Sequence, residues 1–378
     1  MSDTEILDAV DRFLDRKVKP HAARLEHDDI WPEKIVAGMA ELGLFGATIS
    51  PDYGGLGLSA ETYARVVERV ARVWMSLAGI FNSHLIAASA VERFGTASQK
   101  KAFLPEMASG AKRGGLALTE PDCGTDLQAI RTRAQRHGNG YVLNGTKTWI
   151  SNGLHGSVFA VLVKTDPNAD PIHRGMSLFL LEKGEGFASG RKFEKLGYKG
   201  IDSAELIFSD HKVDADRLIS GVEGKGLSHT LAALELGRIN VAARGVGVAQ
   251  AALDEALRYS QIRKTFGKPI CEHQAIQIKL ADMATRTEAA RLLTEKAARA
   301  YDAGGRTSLE TSMAKLFASE AAVENSLDAM RVHGGYGYSK EFPVERLYRD
   351  APLLVIGEGT SEVQRLVIAR QLIEKNPV

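Results

Sequence analysis

Cysteine is scarce, with only Cys123 and Cys271 in 378 residues. Two thiols without metal-ligand spacing exclude a disulfide framework and fit a reducing compartment. An excess of charge of one sign is also lacking. Lys+Arg number 48 against Asp+Glu 47, a net charge of +1, so no basic surplus attracts a polyanion and no nucleic-acid partner is expected. Long apolar runs are missing too. The run at 158–163 falls well short of the roughly 18 residues that span a bilayer, so no membrane association is expected. The opening Met-Ser-Asp-Thr-Glu-Ile-Leu-Asp is acidic and has no charged-then-apolar leader, which makes the cytoplasm the expected location.

The chain exceeds the length at which a single core stops growing, so two or three domains are expected. Three textures divide it. Residues 1–112 look helical, with Ile6, Phe13, Ile35 and Met39 within apolar positions at three- and four-residue steps. Tyr53-Gly-Gly-Leu-Gly57 interrupts them as a glycine-rich loop. Residues 113–222 read as a middle β domain. Asn144-Gly145, between β-prone residues, predicts a hairpin turn there. The near-continuous apolar runs 158–163 and 176–181 predict strands buried on both faces, and 203–208 predicts another strand.

Residues 223–378 return to long helices. Ala249, Ala252, Leu253, Ala256 and Leu257 mark one apolar helix face. Ile276, Leu280 and Met283 mark a second helix, and Met313, Phe317 and Ala321 a third. Ser361-Glu-Val-Gln364 fits a capping box that opens a last helix. The predicted class is mainly α with a middle β domain and a C-terminal four-helix bundle, packed as one rigid body.

Five segments hold side chains suited to chemistry. In Leu118-Thr-Glu-Pro-Asp-Cys-Gly-Thr-Asp126, hydroxyls and glycine-exposed amides can bind a phosphate or a polar ring, although a simple turn has the same composition. In Thr148-Trp-Ile-Ser-Asn-Gly153, an indole and a hydroxyl two positions on, placed on one strand face, can lie against a flat ring. Arg263-Lys-Thr-Phe-Gly267 with His273-Gln274 can grip a diphosphate at helix ends. Val332-His-Gly-Gly-Tyr-Gly337 lets the backbone approach something closely, and His333 reads as a packed histidine. No second His or Cys lies at metal spacing, so no metal is expected. Val355-Ile-Gly-Glu-Gly-Thr-Ser361 presents one carboxylate between two glycines, and burial beside Leu354 and Ile356 would strengthen it as a base.

Taken in this order and at these separations, the five segments resemble the acyl-CoA dehydrogenase family across essentially the whole chain. That resemblance implies an N-terminal helical domain, a middle β-barrel and a C-terminal helical bundle, assembled as a homotetramer with FAD between barrel and bundle. It implies Glu358 as the base that removes the substrate α-proton while the β-hydrogen passes as hydride to the flavin. Leu118, Thr119, Gly124 and Thr125 resemble flavin-contacting positions, with Thr125 also near the CoA chain. Trp149, Ile150 and Ser151 resemble residues lining the isoalloxazine. Arg263, Thr265, Phe266, His273 and Gln274 resemble residues that hold the ADP half across a subunit interface, and Arg331, Gly334 and Gly335 another such patch. Thr360 and Glu362 resemble flavin contacts after the base, Glu235 and Arg238 substrate-side contacts, and Gly359 a neighbour of the thioester.

Two departures stand out. Relatives commonly carry Gln at the position of Arg331. A subset places the catalytic Glu on the bundle helix, where this chain has Gly237 and keeps Glu358 in the loop. Gly357 leaves room beside the substrate and favours short, branched or cyclic acyl groups. The segment 75–83 holds no cation for a dicarboxylic one. Electron-transfer flavoprotein is the implied electron acceptor. An acyl-carrier-protein thioester, an O₂-using acyl-CoA oxidase and a non-catalytic nucleic-acid-binding flavoprotein are the alternatives.

Overall fold

The computed structural model describes residues 2–377. Helix α1 (Asp3–Phe13) starts at a capping box in which Ser2 Oγ accepts from the Glu5 N–H and the Glu5 carboxylate accepts from the Ser2 N–H. A π-helical turn, Leu14–Val18, joins it to α2 (Lys19–His27), and α3 (Glu33–Glu41) follows. Helix α4 (Ala60–Phe94) is bent at Trp74, whose φ of −158° and ψ of 103° lie outside the helical region. By length and composition α4 could cross a bilayer, which the short-run reading did not anticipate. Within the fold, 89% of its apolar window is buried. From Trp74 to Val91 almost every residue is buried, so this stretch is apolar on most sides, while the first half keeps a charged face with Glu61, Arg65, Arg69 and Arg72. Helix α5 (Ala97–Ala108) closes this part with a Thr96/Gln99 capping box.

Strands β1 (Gly114–Ala117), β2 (Arg133–His137), β3 (Gly140–Ser151), β4 (Val158–Lys164), β5 (Met176–Glu182), β6 (Phe187–Lys192) and β7 (Ser203–Asp214) form one seven-stranded sheet. Its order is β1-β4-β2-β3-β7-β6, with β5 on β4, and it curls on itself as the middle domain. The continuous apolar character of β4 has a clear cause. Phe159, Val161 and Val163 enter the core inside the curled sheet, while Val158, Ala160 and Leu162 join the core shared with the helices.

The hairpin turn is not at Asn144-Gly145. β3 runs straight through that pair with a β-bulge, and the turn lies earlier, between His137 and Gly140. Asn144 exchanges side-chain hydrogen bonds with Asp210 instead, and a side chain at Gly145 would strike Thr132.

Helices α6 (Gly226–Ile262), α7 (Gln274–Asp302), α8 (Ser308–His333), α9 (Val344–Ile356) and α10 (Ser361–Lys375) make the C-terminal bundle, with a short β8 (Lys264–Thr265) and β9 (Lys268–Pro269) hairpin after α6. The cap of α10 sits one residue earlier than expected. Thr360, not Ser361, is the N-cap, and its hydroxyl accepts from the Val363 N–H at 3.3 Å. One apolar core runs from Ile6 through α4 and α6 to Leu354, so the three regions share a single interior.

Candidate active site

Between α9 and α10 the chain turns through Gly357-Glu358-Gly359-Thr360. Glu358 has a φ of 56° and Gly359 one of 89°. The left-handed conformation is costly for glutamate and held here by its surroundings. A side chain at Gly359 would be strained by that φ and would crowd Gln364 Nε2 at 2.7 Å. The Gly359 carbonyl accepts from Lys315 Nζ at 2.7 Å and from Gln364 Nε2 at 3.0 Å, which pins the turn to α8 and α10. No protein acceptor takes the Glu358 backbone N–H among the described residues.

The Glu358 side chain points inward, 21% exposed, and two helices meet it. Its Oε1 accepts from Asn82 Nδ2 of α4 at 2.7 Å and from a terminal guanidinium nitrogen of Arg244 of α6 at 3.1 Å. Its Oε2 is buried without a partner and lies against Gly237, where a Cβ would collide with it. The apolar wall expected around it is only half present. Leu354 is buried, but Ile356 turns outward at 62% exposure, because α9 ends there and the loop carries the next residues inward. Polar and cationic groups surround the carboxylate instead. Lys315 is pulled down to about 8, first by burial.

Beside the sheet, the segment from Leu118 is propped by a buried ion pair. Lys147 Nζ lies 2.8 Å from Glu120 and donates to the Leu118 carbonyl at 3.0 Å. Glu120 also accepts from the Arg131 and Thr132 N–H groups, and Thr119 O accepts from the Thr148 N–H. Gly124 and Thr125 are left exposed on this frame. Trp149 lies at a bulge of β3 with a φ of 60°, so strict alternation along the strand fails there. Its indole stays 55% exposed and stacks on Phe193 at 4.2 Å, while Ile150 is buried and Ser151 half-buried. An exposed, braced indole beside open hydroxyls suits a flat ring.

A groove of about 690 Å³ brings together Arg263, Thr265, His273, Arg331, Gly334 and Gly335. Thr265 and His273 share a 3.0 Å hydrogen bond, Arg331 reaches Asp328 at 3.4 Å, and nothing stands over Gly334 or Gly335. Two arginines and two open glycines suit a diphosphate-bearing cofactor such as FAD. Phe266 stands 97% exposed at the β8–β9 turn, and Gln274 is exposed at the start of α7. His333 is packed, stacked on Tyr259 at 4.1 Å, as the sequence suggests.

Thr360 and Glu362 stand at the start of α10, with Glu362 exposed. Arg238 is buried next to Gly237 and its Nε has no partner. Glu235 is engaged elsewhere: it accepts from Ser308 Oγ at 2.8 Å and Thr307 Oγ1 at 3.3 Å, tying α6 to the head of α8. Three neighbours of the turn, Tyr198, Arg244 and Lys315, lie outside the segments singled out from sequence, and Asn82 lies within 75–83 without being named there. A signal existed for Asn82 and Arg244, each a polar side chain inside an otherwise apolar helical stretch.

The acyl-CoA dehydrogenase N-terminal, middle and C-terminal domain profiles match residues 2–111, 115–211 and 224–373 in turn. An acyl-CoA dehydrogenase of Bacillus subtilis is 40% identical over 363 residues, covering 96% of this chain and 95% of that protein. The structure of butyryl-CoA dehydrogenase from Megasphaera elsdenii superposes with a TM-score of 0.95 at 37% identity, over 98% of each chain. A chain from a study of the electron transferring flavoprotein of Acidaminococcus fermentans does so with a TM-score of 0.95 at 38% identity, over 98% and 97%. Matched end to end in this way, the chain belongs to the acyl-CoA dehydrogenase family and is an FAD-dependent oxidoreductase.

Proposed function

We propose that this enzyme oxidises short, branched or cyclic acyl-CoA thioesters to their trans-2-enoyl products, with Glu358 as the base. The observation that carries the proposal is the free, buried Oε2 of a carboxylate held by glycines in a strained turn. Bound FAD supplies the hydride acceptor for the β-hydrogen. Glu358 takes the α-proton on Oε2, and the acyl group leaves with one C–C double bond in place of two C–H bonds. A thioester is too weak an acid for an unaided carboxylate, so the charge forming on its carbonyl oxygen needs donors. The unused Glu358 N–H is suited to that role, worth about 3–4 kcal/mol as an oxyanion donor.

Leu118, Thr119, Gly124, Thr125, Trp149, Ile150 and Ser151 form the flavin-ring side. Arg263, Thr265, Phe266, His273, Gln274, Arg331, Gly334 and Gly335 hold the diphosphate side, and Thr360 and Glu362 border the base. Arg238, Glu235 and Gly359 lie on the substrate side, with Glu235 acting through its tie to α8. The uncovered Phe266 supports a homotetramer in which a second subunit closes that groove. Electron-transfer flavoprotein as acceptor is supported by the likeness to the Acidaminococcus chain. The cytoplasm is the matching location.

Arg244 beside the base bears on the sequence argument against dicarboxylic substrates. The cation that segment 75–83 lacks is delivered from α6, but Glu358 already engages it. Ile86, beside Gly237, and Arg244, in contact with Glu358, take up room next to the carboxylate, which supports a short acyl group. Anaerobic mixing of the yellow holoenzyme with straight, branched, cyclic and long acyl-CoAs, following loss of flavin absorbance, tests this. Rapid bleaching by short or branched thioesters is expected, and bleaching by long chains alone overturns the substrate assignment. Oxygen uptake without another acceptor would point to an oxidase, and a gel shift of duplex DNA at physiological salt to a nucleic-acid-binding flavoprotein.

A further inference from the structure

Among the described residues, three cations lie close to Glu358. Arg238 and Arg244 approach from α6 and Lys315 from α8, while Tyr63 on α4 and Tyr198, in the segment between β6 and β7, are the neighbouring neutral titratable groups. Among these, Arg244 is the cation that touches the carboxylate. It is a guanidinium buried in a helix of Val, Ala and Gly, with no acidic partner other than Glu358 among the described residues and with an unpartnered Nε. A buried charge of this kind destabilises the fold unless its partner is present.

The arrangement is directional. A terminal nitrogen of Arg244 donates to the Tyr198 hydroxyl at 3.2 Å. Tyr198 is itself fixed, with its N–H donating to Asp350 at 2.6 Å and its phenol set against Gly79, where any side chain would collide with it. Arg244 and Asn82 both donate to Oε1, so one carboxylate oxygen is held twice and the other not at all. A protonated Glu358 could keep both bonds through Oε1 while carrying its new proton on Oε2.

We propose that Arg244, braced by Tyr198, is a positioning residue that fixes which oxygen of Glu358 receives the substrate proton. The inference rests on the reading of Glu358 as the base. Two donors on Oε1 hold Oε2 in place as the atom that accepts the proton. With the Arg244 donor removed the carboxylate is free to turn, and flavin reduction slows while the thioester and FAD still bind.

The test uses the full-length holoenzyme, mixed anaerobically with rising concentrations of the acyl-CoA that reduces the wild type fastest. In Arg244→Gln the limiting rate of flavin reduction should fall by about tenfold or more, with FAD content and the half-saturating acyl-CoA concentration close to the wild type. Arg244→Lys should restore most of the rate, and Tyr198→Phe should show a smaller loss of the same kind. An unchanged limiting rate in Arg244→Gln, or a loss seen only in the half-saturating concentration, overturns the inference. Should that variant fail to fold, an unchanged limiting rate in Tyr198→Phe overturns it equally. Glu358→Gln separates the two failures. Rapid bleaching in it rejects the base itself, whereas a silent Glu358→Gln beside an unchanged Arg244→Gln rate rejects only the role of Arg244.

Discussion

Gly237→Ala is the smallest change that should disable Glu358, the proposed base, without replacing it. A Cβ at Gly237 would stand 2.6 Å from Ile86 Cδ1 and closer still to Glu358 Oε2, where ordinary contact begins at 3.4 Å. Ile86 lies on the buried face of α4 and has little room to retreat. The carboxylate is held through Oε1 by Asn82 and Arg244, so it cannot swing aside without breaking one of those bonds. Glu358 is then displaced by roughly 1 Å, a misplacement that can cost on the order of a hundredfold in rate. The overpacking itself should destabilise the fold by about 1–3 kcal/mol. The assay is single-turnover flavin reduction by acyl-CoA, run beside FAD content and melting temperature. A variant that binds FAD and is reduced at the wild-type rate would refute the placement of Oε2 as the reacting atom.

Three other changes probe the supports of the site. Lys315→Met removes the ammonium from the Gly359 carbonyl and should slow flavin reduction by about tenfold with FAD still bound, which stopped-flow absorbance would show. Glu120→Ala strands the buried Lys147 and should cost about 3–5 kcal/mol of stability, read by denaturant unfolding, together with weaker FAD retention. Asp350 is pushed up to about 6 by burial, above its unfolded value near 3.9. The folded protein therefore holds a proton there that the unfolded chain releases. That stabilisation is full below pH about 4 and lost as pH rises through about 6. Asp350→Asn should flatten the melting temperature between those limits, and an unchanged slope would assign the pH dependence to other groups.

Much of this architecture is legible in the sequence because its signals are local. The apolar period of the helices, the unbroken runs at 158–163 and 176–181 and the glycines around Glu358 each reflect one element's own burial or turn. Errors arose where tertiary context overrides a local preference. Asn144-Gly145 has turn chemistry, yet strand pairing with β7 carries the chain straight through as a bulge. Ile356 looks like part of an apolar wall, yet the end of α9 turns it to solvent. The partners of Glu358 were hidden for a different reason. Asn82 lies 276 positions away and Arg244 lies 114 away, and only the packing of α4 on α6 brings both to one oxygen.

The central claim is tested most directly with Glu358→Gln, which keeps the side-chain volume but offers no carboxylate to take a proton. Purified with its FAD and mixed anaerobically with the best acyl-CoA, it should bind the thioester and perturb the flavin spectrum without bleaching it. Bleaching at the rate of the unmodified enzyme would contradict the assignment of proton abstraction to this residue.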